Sequence, residues 1–265
     1  MTKSTYSPAP FEPNYALFLD LDGTLAEFHE EPAQVTLSRP VLDLLRVLYD
    51  QLEGAIALVS GRSIEDLTRM LEGQPLCCLG LHGLTQNDHC PEAVGALKAA
   101  GDSAASFDTT EMNELRQASI DFAHCHPGVT VEDKQFALAL HYRRSPHWQA
   151  AVRQFAHEYL QSRNGRSGFA LLEGKMVVEF RPAGINKGVA IARLLKHRPF
   201  AGRVPVFIGD DVTDEAGFEA VNAAQGVSIK CGDGRSCAQF RLPDIAAVHR
   251  WLEGYSATLS ETRGS

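Results

Sequence analysis

The sequence predicts an α/β protein with a parallel sheet at its core, interrupted by an inserted α+β module. Three observations carry this. Several short, densely apolar runs, such as YALFLDL (15–21), AIALVSG (55–61) and VPVFIGDD (204–211), have the composition of strands buried on both faces. Helical patterns separate them at the spacing of βαβ units. In the middle of the chain the style changes to helices alternating with hairpins, in the order αββαββ, which suits an antiparallel sheet.

The elements follow in order. After the first strand, Ser38 sits where a helix cap belongs and Pro40 in the first turn of RPVLDLLRVLYDQL. AIALVSG is the second strand, Ser63 caps the short helix IEDLTRMLEG, and CCLGLHG (77–83) is the third strand. The insert then reads as helix MNELRQASIDFAHC, hairpin VTVED–QFALALHYR, helix PHWQAAVRQFAHEYL and hairpin FALLE–KMVVEF, the last turning at Glu173-Gly174. The first style returns with helix NKGVAIARLLKHR, strand VPVFIGDD, a helix from TDEAGFEAVNAA with Thr213 as its cap, and strand GVSIK. This divides the chain into a first core segment (1–85), the insert (86–183) and a second core segment (184–265).

Bulk properties narrow the function. The 265 residues are 44% apolar and carry a net charge of −8, which disfavours nucleic acid and anionic membranes as partners. No apolar run is long enough for a membrane helix. The first residues, MTKSTYSPAPFEPN, lack a signal-peptide apolar region and read as a flexible lead-in; the tail GYSATLSETRGS reads as loose. The six cysteines show no CxxC pair, so reduced thiols in a cytoplasm are expected.

Chemistry gathers at strand ends. In open α/β sheets, ligands bind outside the carboxyl ends of strands. The first strand ends in Asp20-Leu21-Asp22-Gly23-Thr24, the second in Ser60-Gly61-Arg62, and a later one in Gly209-Asp210-Asp211, followed by Asp214. Lys187 stands on the helix before that last strand. Crowded carboxylates repel one another unless a cation offsets them, and an all-oxygen donor set suits Mg²⁺ with a phosphate-bearing substrate. Asp20 can then serve as nucleophile and metal ligand and Asp22 as proton donor. Ser60, Lys187 and backbone N–H groups near Gly23 can hold phosphate oxygens.

DLDGTL, SGR, NKG and GDDVTDE, in this order, resemble the four signatures of haloacid-dehalogenase (HAD) phosphatases. The resemblance implies a Rossmann-like core and an aspartyl-phosphate intermediate. It implies that Asp20 attacks phosphorus, that Asp22 protonates the leaving alcohol and then activates water, and that Ser60, Gly61 and Lys187 bind phosphate. Mg²⁺ would be held by Asp20, Asp210 and the backbone carbonyl of Asp22, with Asp211 or Asp214 orienting the metal shell.

Strand parity in the insert separates a charged face from an apolar one. Glu132 and Lys134 share a face, as do His141 and Arg143, while Lys175, Val177, Glu179 and Arg181 alternate with Met176, Val178 and Phe180. Such mixed charge suits sugar hydroxyls, which both donate and accept. GLHG, VEDKQFALALHYR, GKMVVEFRP and NKG resemble the trehalose-6-phosphate phosphatase family over most of the chain. This implies a phosphoric monoester hydrolase whose cap domain closes over a phosphosugar. Glu132, Lys134 and Glu179 would hold sugar hydroxyls, with His141, Arg143 and Lys175 as further contacts. The expected assembly is a monomer or weak oligomer. Two rival readings remain: a phosphatase for sucrose phosphate or mannosylglycerate phosphate, and an inactive phosphosugar-binding regulator.

Overall fold

A computed structural model describes residues 11–27, 29, 34–91, 109–134, 137–163 and 167–263. The chain divides into two units. One comprises Met1–Ala96 with Asn186–Ser265, the other Leu97–Ile185.

The first unit is built on a sheet of seven strands. In chain order they are β1 (Tyr15–Leu19), β2 (Ile56–Val59), β3 (Cys77–Gly80), β4 (Thr85–Gln86), and later β9 (Val204–Gly209), β10 (Val227–Cys231) and β11 (Phe240–Leu242); β5 to β8 belong to the other unit. The spatial order is β11-β10-β9-β1-β2-β3-β4. Every pairing is parallel except β3 with β4. Strand β1 is central and fully buried, as its unbroken apolar run requires. Connections step away from β1 to one side through β2 and β3 and to the other through β9, β10 and β11. The order therefore reverses between β1 and β9, and the carboxyl ends of the strands at such a reversal are where open α/β sheets bind ligands.

Helices α1 (Arg39–Gln51), α2 (Ile64–Met70), α5 (Lys187–Leu194), α6 (Glu215–Ala223) and α7 (Ile245–Arg263) complete this unit. Tyr15 meets Tyr255 of α7, whereas Phe18, of opposite parity on β1, stacks on Phe200 just after α5. The two faces of β1 are thus covered by different helices. Gln51 of α1 bonds Ser256 and Ser260, holding α1 on α7.

The second unit carries α3 (Thr109–Cys125), β5 (Thr130–Asp133), β6 (Leu138–His141), α4 (Gln149–Ser162), β7 (Phe169–Gly174) and β8 (Val177–Pro182). The strands form an antiparallel sheet in the order β5-β6-β8-β7. This is the expected αββαββ order. Leu138, Leu140, Val178 and Phe180 pack with Met112 and Leu115 of α3 and with Val152 and Ala156 of α4 in a core of their own.

Several local expectations need correction. The second hairpin turns at Lys175-Met176, because Gly174 pairs with Val177 and Met176 takes the left-handed conformation (φ 65°). Thr213 lies inside a short 3₁₀ turn, Val212–Asp214; Asp211 caps that turn and Asp214 reciprocates. Ser38 stands at its helix start without a side-chain cap bond, whereas Ser63 accepts from Asp66 N. Strands β4 and β11 are too short to show a period. The described part of the tail, through Arg263, is helix: Tyr255 and Leu259 of α7 are buried. The described part of the lead-in is docked, with Phe11 against Trp251 and Tyr255 and the Glu12 carbonyl accepting from the Tyr255 hydroxyl; residues 1–10 lie outside the described residues, as do Gln135 and Phe136.

The thiol expectation fails at one pair: Cys77 and Cys90 form a disulfide. The cause is local folding. Strand β4 runs back along β3, and Asn87 accepts from Cys78 N and donates to the Leu76 carbonyl, which returns the chain to Cys77. Cys78 and Cys231 are free and buried, and burial pushes each thiol up to about 12. Among the described residues, no helix is long and apolar enough to cross a membrane.

Candidate active site

Asp20 follows the last residue of β1, and Asp210 follows the last residue of β9, the two strands that flank the reversal in sheet order. Immediately after Asp22 the chain turns sharply, and Asp22 bridges to Ala26. Gly23 N donates to the Ala26 carbonyl (2.8 Å), and Gly23 holds φ 79°. A Cβ there would lie 2.3 Å from the Asp210 carboxylate, so only glycine lets the two acidic loops approach this closely. Thr24 Oγ1 bridges them further, donating to Asp210 Oδ1 at 3.3 Å.

Lys187 is the first residue of α5, whose start Asn186 caps by accepting from Val189 N. The lysine is 2% exposed, and Nζ lies 2.6 Å from both Asp20 Oδ1 and Asp214 Oδ1. The other oxygen of Asp214 accepts from Asp210 N and Asp211 N, each at 2.9 Å. Both oxygens of Asp214 are thus used in fixing Lys187 and the acidic loop. The Asp211 side chain turns to Val212 N and is exposed. Lys230, buried on β10, donates to the Asp210 carbonyl.

Among the described residues, Asp20, Asp210 and Asp214 form an acidic group whose oxygens lie within 4.8 Å of one another. Burial pushes Asp20 up to about 8, with Asp214 adding to the rise and Lys187 opposing it. Asp210 rises to about 6, chiefly through burial and then through Asp214. Burial works against the charge on Lys187, but its two carboxylate partners outweigh it and hold the amine above its ordinary value. More negative charge than positive is concentrated here. An oxygen donor set with surplus negative charge fits a hard divalent cation such as Mg²⁺.

The loop after β2 lies beside this group. Ser60 is buried, and its Oγ accepts from Arg62 N at 3.2 Å. A Cβ on Gly61 would come within 2.8 Å of the His82 ring, which explains the glycine between them. The 3₁₀ turn Leu81–Gly83 braces the loop: His82 N donates to the Ser60 carbonyl and Leu81 N to the Arg62 carbonyl. Arg62 reaches Asp22 with two bonds of 2.6 Å, Nε to Oδ2 and Nη2 to Oδ1. In sequence Arg62 stands in the strand-end triplet Ser60-Gly61-Arg62 without an assigned role, and Lys230 stands outside every motif. A basic residue next to a strand-end serine, on the same sheet as a DxD, was the available signal for Arg62.

The site residues expected in the insert fall into two groups. In register, Glu132 pairs with Ala139 and Ala139 with Glu179, which aligns Glu132, Glu179 and His141 on one face. Lys134 Nζ is 3.1 Å from Glu179 Oε2 and 4.0 Å from Glu132 Oε2, and His141 Nε2 is 2.7 Å from Glu132 Oε2. Arg143 and Lys175 are exposed, one beyond β6 and one in the β7–β8 turn, and neither joins that network.

The fold is that of the haloacid-dehalogenase-like hydrolases. Residues 18–244 match the model of the family described as trehalose-phosphatase. The chain is 36% identical over 271 residues to trehalose-6-phosphate phosphatase of Escherichia coli K12, covering 99% of this chain and 94% of that protein. It is 41% identical over 219 residues to a probable trehalose-phosphate phosphatase of Sinorhizobium fredii, covering 83% and 78%. In fold it is similar to the C-terminal domain of C. albicans trehalose-6-phosphate phosphatase, with TM-score 0.72, 23% identity and 92% of each chain covered. The chain belongs to the trehalose-phosphatase family.

Proposed function

We propose that the protein hydrolyses trehalose 6-phosphate to trehalose and phosphate through a phosphoryl group carried on Asp20, as the last step of trehalose formation. The observation that carries the mechanism is the buried Asp20 held by Lys187 at the end of β1. The substrate assignment draws on what the relatives are named for.

In the first half, an Asp20 oxygen attacks phosphorus. The bond to the sugar oxygen breaks, its electron pair goes to that oxygen, and Asp22 delivers a proton there. In the second half, water attacks the same phosphorus, Asp22 takes the proton, and the electron pair of the breaking bond returns to Asp20. Ser60, Gly61 and Lys187 hold the phosphoryl oxygens, and Asp214 orients Lys187. Asp20, Asp210 and the Asp22 backbone carbonyl would hold Mg²⁺, which supplies positive charge at the phosphoryl oxygens.

In the same proposal Glu132, Lys134, His141 and Glu179 bind sugar hydroxyls; Arg143 and Lys175, outside that network, are secondary contacts. The chain acts as a monomer or weak oligomer. A cytoplasmic location belongs to this reading, and the Cys77–Cys90 disulfide weighs against it, since such bonds are rare in reducing compartments.

The experiment is to quench the enzyme during turnover and map the phosphorylated peptide by mass spectrometry. Phosphate on Asp20, absent from a folded Asp20→Asn variant that has lost turnover, is the expected result. Near-normal turnover by Asp20→Asn would rule the mechanism out.

A further inference from the structure

Arg62 grips both carboxylate oxygens of Asp22, each at 2.6 Å. The two residues stand forty positions apart (62 − 22) and meet because β1 and β2 are neighbours. A fork of two parallel N–H···O bonds fixes the plane of a carboxylate as well as its position. Both ends of this contact are anchored. Arg62 is pinned at its backbone N by Ser60 Oγ and at its carbonyl by Leu81 N, and its side chain is only 10% exposed. Asp22 is rooted in the turn closed by Gly23 N and the Ala26 carbonyl. A carboxylate has about four acceptor sites, so the grip occupies two and leaves about two for proton exchange.

We propose that Arg62 is a positioning residue for proton transfer: it sets the direction in which Asp22 presents its carboxylate to the leaving-group oxygen. This rests on the reading of Asp22 as the proton carrier. The competing role is a structural tie between two loops. That tie would matter equally for every substrate. In the first half of the reaction, the orientation of a proton donor matters only where the leaving group needs a proton.

The test compares kcat/KM, which reports only the steps through departure of the leaving group, for trehalose 6-phosphate, whose leaving alcohol must be protonated, and for p-nitrophenyl phosphate, whose leaving phenolate needs no proton. Arg62→Gln and Arg62→Lys are made in the wild type and in Asp22→Asn, with circular dichroism to confirm folding. General acid–base catalysis contributes about 10²- to 10⁴-fold. Arg62→Gln is therefore expected to lower kcat/KM for the sugar ester at least about 10-fold more than for the aryl ester. Arg62→Lys does not restore it, because an ammonium keeps the charge but not the fork. In the Asp22→Asn background Arg62→Gln adds less than about 2-fold, as expected of a residue acting through its partner. If Arg62→Gln fails to fold, Arg62→Lys carries the same comparison. Equal losses on both esters, rescue by lysine, or losses that multiply with Asp22→Asn overturn the proposal. If Asp22→Asn alone spares the sugar ester, the proton-carrier reading falls first and Arg62's role with it.

Discussion

Replacing Lys187 by methionine removes the cation that joins Asp20 to Asp214. Nζ lies 2.6 Å from each, and the side chains of Lys187, Asp20 and Asp214 are 2%, 7% and 0% exposed. Methionine fills similar space, so the main cost is leaving buried carboxylates without their partner. Breaking a buried pair in this way costs about 3–5 kcal/mol, a large share of the roughly 5–15 kcal/mol that keeps a protein folded. The cost depends on pH with a definite sign. Asp20 already sits at about 8, above its unfolded value. An acid raised on folding favours the folded state while protonated and opposes it as pH rises toward the folded pKa. Without Lys187, Asp20 rises further, so the two proteins diverge as pH passes through about 8 and the deficit relative to wild type is larger at pH 9 than at pH 6. Urea unfolding with EDTA present measures this at both pH values. Trp251 is in the same unit as the site and Trp148 in the other, so a Trp148→Phe background makes fluorescence report on the site's unit. A Lys187→Met protein as stable as wild type at pH 9, or a deficit that shrinks between pH 6 and pH 9, would contradict this role for Lys187.

Two further predictions follow from the same charges. Asp20 at about 8 and Asp210 at about 6 hold protons that a cation must displace, so apparent Mg²⁺ affinity rises from pH 6 to pH 8 and binding releases protons. Calorimetry in buffers of different ionisation enthalpy reads that release, and a pH-independent affinity without it would contradict the metal assignment. Lys134→Ala or Glu179→Ala lowers kcat/KM for the disaccharide phosphate about 10- to 1000-fold, from losing one or two polar contacts of about 1.5–3 kcal/mol. The same variants lose far less on p-nitrophenyl phosphate; matching losses on the two substrates would assign these residues to the fold or to the chemistry instead.

The fold was legible where burial imposes a pattern. Strands β1, β2 and β9 lie in the middle of a parallel sheet, so apolar density marks them, and their polar last residues mark the site. The alternation in β6 and β8 placed Glu179 and His141 on one face because Leu138, Leu140, Val178 and Phe180 needed the other. What stayed hidden depends on contacts between distant segments. The Cys77–Cys90 bond needs the β3–β4 hairpin, and β4 is two residues long. The Arg62–Asp22 fork needs two adjacent strands to deliver their loops together. The burial of Tyr255, within a tail whose composition reads as loose, needs Tyr15 and Phe11 as neighbours. Asp214 shows its role only through geometry, because helix caps and metal-site aspartates look alike in sequence.

The central claim is that this chain releases phosphate from trehalose 6-phosphate. Phosphate release from a panel containing trehalose 6-phosphate, sucrose 6-phosphate, mannosylglycerate phosphate and glucose 6-phosphate, with and without Mg²⁺, tests it directly. The expected result is Mg²⁺-dependent turnover with kcat/KM highest for trehalose 6-phosphate. A higher kcat/KM for another sugar phosphate would reassign the substrate, and binding of phosphosugars with no release from any of them would identify an inactive regulator and contradict the claim.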